Sequence, residues 1–271
     1  LRVFNAEGIK YYVAPDMTNG AYLTINRLNT FEYLPNQNNK VDLAFIKNLL
    51  YEDVPGTIIE KEAFKVPYPG ISILNKTKKG DYQKYHIYKT PLEIIVVKFG
   101  GKKDFVLLHE DDIFSSISFK PLSTAITTFK EPHGKYTFEC PENYITANLE
   151  HTGKKLVQAL GNKNDYYFFK ESPQHDVEYI EEDAFEAKYI HTSFYKNLDI
   201  KEVETKAINE SYKSYMSSVV LDSTSQHKLW LKSIVKDGSY YLMGYYTPYR
   251  VTIPPSPYPL LTVTSSHLIQ Q

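Results

Sequence analysis

A pattern that occurs twice constrains this chain more than any single motif. From Pro69 to Gly101, the stretch PGISILNKTKKGDYQKYHIYKTPLEIIVVKFGG holds three apolar runs of strand length: Ile71 to Leu74, Tyr85 to Tyr88 and Ile94 to Phe99. Turn chemistry at Lys79-Gly80-Asp81 and at Thr90-Pro91 separates them, so an antiparallel meander is expected. About 144 positions later the rhythm returns in Tyr215 to Leu221, Lys228 to Lys232 and Tyr240 to Tyr245. The echo extends upstream. Tyr189, Ile190, Phe194 and Tyr195 stand where the first half has Phe45, Ile46, Leu50 and Tyr51, and Val203 and Glu204 stand for Ile59 and Glu60. Side-chain character is kept while identity is not, as in two copies of one fold.

At 271 residues the chain has room for two domains. Ile9, Tyr11 and Val13 alternate as a strand, and the period-2 pattern resumes at Tyr22. Phe45, Ile46, Leu49 and Leu50 then follow a helical stripe that Pro55-Gly56 ends. A strand from Thr57 to Phe64, the meander and a closing helix between Asp104 and Phe119 complete the first half. In the second half come a strand from Lys135 to Cys140, a hairpin around Gly161-Asn162 and a helix from Asp183 to Asn197. The meander links are too short for parallel crossovers. The expected fold class is therefore α+β: two similar domains, each an antiparallel β-sheet covered by helices in a sandwich. The expected boundaries are a first repeat over 1–120, a linker over 121–134, a second repeat over 135–248 and a proline-rich extended tail over 249–271.

The run GKYTFECPENY, with its strand ending in Pro141, followed by hairpin, helix and meander, resembles the PsbP/Mog1-like α/β/α sandwich. Tyr144 stands near the place where that group usually has a tryptophan. The resemblance implies a binding or accessory role and transfers no catalytic residue.

Composition excludes several functions. Thirty-one basic residues balance 32 acidic ones, so no basic surface for nucleic acid is expected. The longest aliphatic run, Ile94 to Val97, is far short of the ~20 residues of a membrane span. One cysteine, Cys140, excludes an intramolecular disulfide and reads as a small strand residue. With no targeting segment after Leu1, the start is either a mature terminus or a cut in a longer protein. The tyrosine-rich, thiol-poor composition points to an exported protein of the periplasm or cell surface.

No GxSxG, P-loop or GxGxxG occurs, and the histidines show no metal-binding spacing. His109-Glu110-Asp111-Asp112 is the densest ligand-like cluster, but consecutive helical residues diverge and cannot converge on one ion. No cofactor or metal is expected. Lys76, Lys78 and Lys79 form a candidate anion contact at a hairpin tip, where a solvated turn is the simpler account. The stronger lead is aromatic. Tyr166, Phe168, Tyr240, Tyr245 and Tyr249 are the candidate partner or ligand surface, with packing beneath a helix as the competing account. The expected function is a non-catalytic, exported protein-interaction or assembly module, with a protein partner and a glycan or peptide as further ligand classes. The alternatives are a hydrolase, or the accessory part of a larger enzyme, and a carbohydrate or small-ligand binding protein.

Overall fold

Period-2 patterning dominates the structure, a computed structural model that describes residues 1–6, 9–29, 56–90, 92–121, 123, 125–133, 136–149, 154–161, 166–173, 191, 202–209, 213–220, 228–236, 239–247 and 261–263. The chain divides into two compact units, Leu1–Pro121 and Leu122–Gln271.

In the first unit, β1 (Arg2–Ala6), β2 (Ile9–Asp16) and β3 (Ala21–Asn29) form one meander. A second consists of β4 (Thr57–Phe64), β5 (Gly70–Lys76), β6 (Tyr82–Lys89) and β7 (Glu93–Gly101). They join through β3 and β7 into an antiparallel seven-stranded sheet of order β1-β2-β3-β7-β6-β5-β4. Both faces carry core residues, because alternate side chains point to opposite sides. Val97, Phe99, Leu74, Tyr82 and Tyr88 pack with Val106 and Phe114 of the helix α1 (Lys103–Ser115). Leu28, Ile71, Ile73, Tyr85, Ile87, Ile94 and Val96 form the core of the other face. Each such fully buried side chain contributes about 1.5–3 kcal/mol over leaving it in water.

The second unit repeats the strand order element for element. β10 (Tyr144–Leu149), β11 (Lys154–Leu160), β12 (Tyr166–Pro173), β13 (Glu202–Asn209), β14 (Lys213–Val220), β15 (Lys228–Lys236) and β16 (Ser239–Thr247) pair as β10-β11-β12-β16-β15-β14-β13. One detail fixes the equivalence of the two sheets. Gly100 faces Tyr22 across β3 and β7, and Gly244 faces Phe168 across β12 and β16. In each pair the ring lies over its glycine so closely that a Cβ there would collide with it. Glycine is needed for that close approach.

The helix-covered sandwich expected for both domains is not the observed fold. Strands dominate, and among the described residues α1 is the one helix of seven or more residues. The large sheet of the second unit is covered by a third, three-stranded antiparallel sheet of order β17-β9-β8, made of β8 (Ile126–Lys130), β9 (Tyr136–Pro141) and β17 (Leu261–Val263). The α/β/α layering implied by the PsbP/Mog1 resemblance falls with it. The signal is hidden because β8 lies in the stretch whose composition marks a linker, and β17 in the proline-rich tail. Pro121 and Pro132 stand outside the paired residues of β8 and do not interrupt its ladder. The helices expected around Phe45 to Leu50 and from Asp183 to Asn197 fall outside the described residues, except for His191, which is buried.

Candidate interaction surface

With Gly100 and Gly244 as anchors, the two strand ladders can be compared position by position. On the helix-bearing face of the first sheet lie Tyr12, Ala14 and Asp16 of β2, Ala21, Leu23 and Ile25 of β3, and Val97, Phe99 and Gly101 of β7. Their counterparts in the second sheet are Lys155, Val157 and Ala159 of β11, Tyr167, Phe169 and Glu171 of β12, and Tyr241, Met243 and Tyr245 of β16. So α1 and the three-stranded sheet cover the same face of their respective sheets.

They cover it differently. In the second unit, Tyr136, Phe138 and Cys140 of β9 bury Val157, Ala159, Phe169, Tyr241 and Met243. In the first unit, α1 packs chiefly on β6 and β7. Tyr12, Ala14, Leu23 and Ile25 are left half-exposed, and Val3, which pairs with Tyr12, is 53% exposed. Beside α1, an open cavity of about 290 Å³ is lined by Ala14, Asp16, Leu23, Phe105, His109 and Asp112, among others. Its origin lies in the residues. Ala21 and Gly101 occupy the places where the second sheet carries the rings of Tyr167 and Tyr245, which pack on one another with centroids 4.8 Å apart. Ala21, which lines the cavity, leaves open the place that the ring of Tyr167 fills in the second sheet.

The walls of this cavity are apolar, and carboxylates stand at its rim. Asp16 accepts hydrogen bonds from the backbone N–H of Thr18 (3.1 Å) and Asn19 (3.3 Å) and from the Asn19 side chain (2.7 Å). The Asn19 contacts, its side chain first, hold the carboxyl below the usual carboxylate range, so Asp16 is a fixed anion at neutral pH. Asp112 lies exposed across from it on α1, and the His109 ring rests against Phe105 at 4.5 Å. Among the described residues neither lysine nor arginine lines the cavity. Leu108, 72% exposed, flanks Phe105 and Asp112 by helical spacing, and Met17, 88% exposed, follows Asp16.

The aromatic residues singled out in the sequence lie elsewhere. Tyr166 and Phe168 are 0% exposed, and Tyr240 and Tyr245 4%. The first three belong to the face of the second sheet opposite the three-stranded sheet, and Tyr245 packs between Tyr167 and Trp230. Tyr249 falls outside the described residues. Lys76, Lys78 and Lys79 sit at the tip of the β5–β6 hairpin, which closes through bonds from Gly80 N–H to the Thr77 carbonyl and from Thr77 N–H to the Asp81 carbonyl. Sequence reasoning missed the cavity because its lining comes from β2, β3, β7 and α1. The small residues at Ala14 and Ala21 were the available signal.

A second cluster joins the three-stranded sheet to the large sheet beneath it. Glu131, whose side chain is 0% exposed, accepts bonds from the His133 backbone N–H (2.7 Å) and from Lys155 Nζ (2.8 Å), with the His133 ring at 3.0 Å. Lys155 Nζ also lies 3.6 Å from Glu171. Burial alone would lower the proton affinity of Lys155. The bond to Glu131 and the field of Glu171 outweigh it and hold the ammonium above its ordinary range. Burial, reinforced by Glu171 and Glu131, raises the Tyr136 phenol well above its usual value. Lys155 thus bridges the two carboxylates, which makes a staple between layers. Cys140 is buried in the same core and its thiol is pushed up to about 12 by burial, so it is no nucleophile at neutral pH. Among the described residues no group of three His, Cys, Asp or Glu side chains converges to hold a metal, and no helix is long and apolar enough to cross a membrane.

No protein-family model and no curated protein matches the chain in sequence. Among solved structures it is similar to the immunity protein TplEi of the T6SS from Pseudomonas aeruginosa, at 11% identity and a TM-score of 0.24, covering 93% of this chain and 89% of that one. It is similar to a chain of the Tle4–Tli4 complex at 10% identity and a TM-score of 0.24, with the same coverage. An acyl-CoA thioesterase II, TesB2, from Mycobacterium marinum follows at 8% identity and a TM-score of 0.14, covering 90% and 97%. At such scores none of these likenesses carries an argument about this chain.

Proposed function

We propose that this protein acts by binding another protein, without catalysis, and that the open half of the α1-bearing face in the first unit is its contact surface. One observation carries the reading: Ala14, Leu23 and Ile25 are half-covered and Val3 beside them is exposed, whereas Val157, Phe169 and Glu171, which hold the first three places in the second sheet, are buried, the first two of them under β9. An apolar surface of this kind, rimmed by charge, is where partners dock. The thiol-poor composition fits an extracytoplasmic setting for the encounter.

The test is a photo-crosslinking residue at Val3, with a control at Lys61 of β4, in cells of the source. A protein adduct is expected from Val3 and not from Lys61. The purified partner should then form a defined complex with the chain that Val3→Glu weakens at least tenfold. Equal adducts from both positions, or an undiminished complex with Val3→Glu, would sink the reading.

A further inference from the structure

The cavity beside α1 specifies the partner's chemistry more closely than the open face does. We infer that it takes an extended peptide segment of the partner in which an aromatic side chain stands beside a lysine or arginine, an inference that rests on the proposed binding role. The aromatic ring fills the space over Ala14, Ala21 and Leu23, and the cation lies between Asp16 and Asp112.

Shape and charge both argue for this occupant. The cavity floor is Ala14, Leu23 and Phe99, and its side wall is Phe105 and Ile113 of α1. The corresponding floor in the second unit, Val157, Phe169 and Met243, is covered by a β-strand whose inward side chains are Tyr136, Phe138 and Cys140. The fold therefore already accommodates an aromatic strand at this place. Beyond its smaller floor residues, the first unit differs at the rim. Asp16 takes the position of Ala159, and Asp112 is supplied by a helix the described second unit does not place there. Two carboxylates, one fixed as an anion by Asn19, with no lysine or arginine in the described lining, set a negative field over an apolar floor. Such a field attracts a cation held next to an apolar ring and repels an acidic segment.

The probes are three synthetic peptides. One carries the sequence of Tyr136–Pro141, with serine for its cysteine and a lysine added at each end. The second has glutamates at the ends, and the third keeps the lysines but has alanine for both aromatic residues. Binding to the full chain is followed by NMR. The lysine peptide should bind at least tenfold more tightly than either of the others, with shifts confined to Ala14, Ala21, Leu23 and Ile113. Asp16→Asn combined with Asp112→Asn should abolish the preference for lysine over glutamate; the amide oxygen introduced by Asp16→Asn keeps the acceptor that the turn at Thr18 and Asn19 needs. Equal binding of both charge forms, shifts elsewhere, or no binding at millimolar peptide overturns the inference. So does equally tight binding of free phenethylammonium, which would make the cavity a small-amine site. None of these outcomes touches the crosslinking at Val3, so the binding role stands or falls separately.

Discussion

The two large sheets share strand order and the glycine–aromatic contact, yet one is capped by a helix and the other by a small sheet. The difference shows that the face of a sheet dictates that it be covered but not by what. Burying Phe99 and Val97 needs only one apolar stripe, which Val106 and Phe114 of α1 supply. Burying Phe169, Tyr241 and Met243 together with Val157 and Ala159 needs a wider lid, and a strand ladder spans more of the surface than one helix. The narrower cover leaves part of the first unit's face open; the wider one closes the second.

The most disruptive way to break the comparison is to remove the lid's central anchor. Phe138→Ala, at a side chain that is 0% exposed, should destabilise the second unit by about 3–5 kcal/mol. The protein has a single tryptophan, Trp230, and it stacks on Tyr245 in that unit. Its fluorescence in urea therefore reads this loss directly. An unchanged midpoint would mean that β9 is an ornament on the sheet and not its cover.

The staple offers an intermediate test. Tyr12 and Ile25 occupy in the first sheet the places that Lys155 and Glu171 occupy in the second. Lys155→Met leaves Glu131 and Glu171 without their shared cation. Because the Lys155 side chain keeps 29% exposure, the loss should be about 2 kcal/mol, below the ~3–5 kcal/mol of a fully buried pair. Adding Glu171→Gln should restore part of it. A double variant no more stable than the single one would show that Glu171 does not depend on Lys155.

The smallest effect sharpens the equivalence itself. Gly244→Ala forces a methyl against Phe168, which is 0% exposed and has nowhere to move, so about 1–3 kcal/mol is expected. Gly100→Ala meets the half-buried Tyr22, whose ring can yield only by giving up the bond it accepts from Gln83 (2.6 Å), and should cost about 1 kcal/mol. Thermal unfolding of the pair checks the order, and equal shifts would remove the distinction.

Much of the strand pattern was legible because it is local. Ile94 to Phe99 and Tyr240 to Tyr245 announce central strands by their apolar runs, and both fall within observed strands, β7 and β16. What covers a sheet is not local. β8 and β17 are short, flanked by turn-forming residues, and gain their order only from pairing with β9. The site was hidden for the same reason. Asp16 and Asp112 lie far apart in sequence, and nothing in either segment alone shows that they share a cavity. Tyr166 and Phe168 stood out as rings, but the pattern of a two-sided buried strand is the same as that of an aromatic surface until the second face is seen to be covered.

The strand order also governs the moment at which each half becomes a protein during synthesis. In the first sheet β7 sits between β3 and β6, so the last strand made joins the two meanders. Until Gly101 has left the ribosome, β3 and β6 each present a bare apolar edge, which is a template for wrong pairing. The second unit waits longer still. Its lid takes β8 from before the large sheet and β17 from after it, so the ladder on β9 closes only when Val263 has been made. A nascent chain stalled between Thr247 and Leu261 would hold both large sheets and a lid still lacking β17.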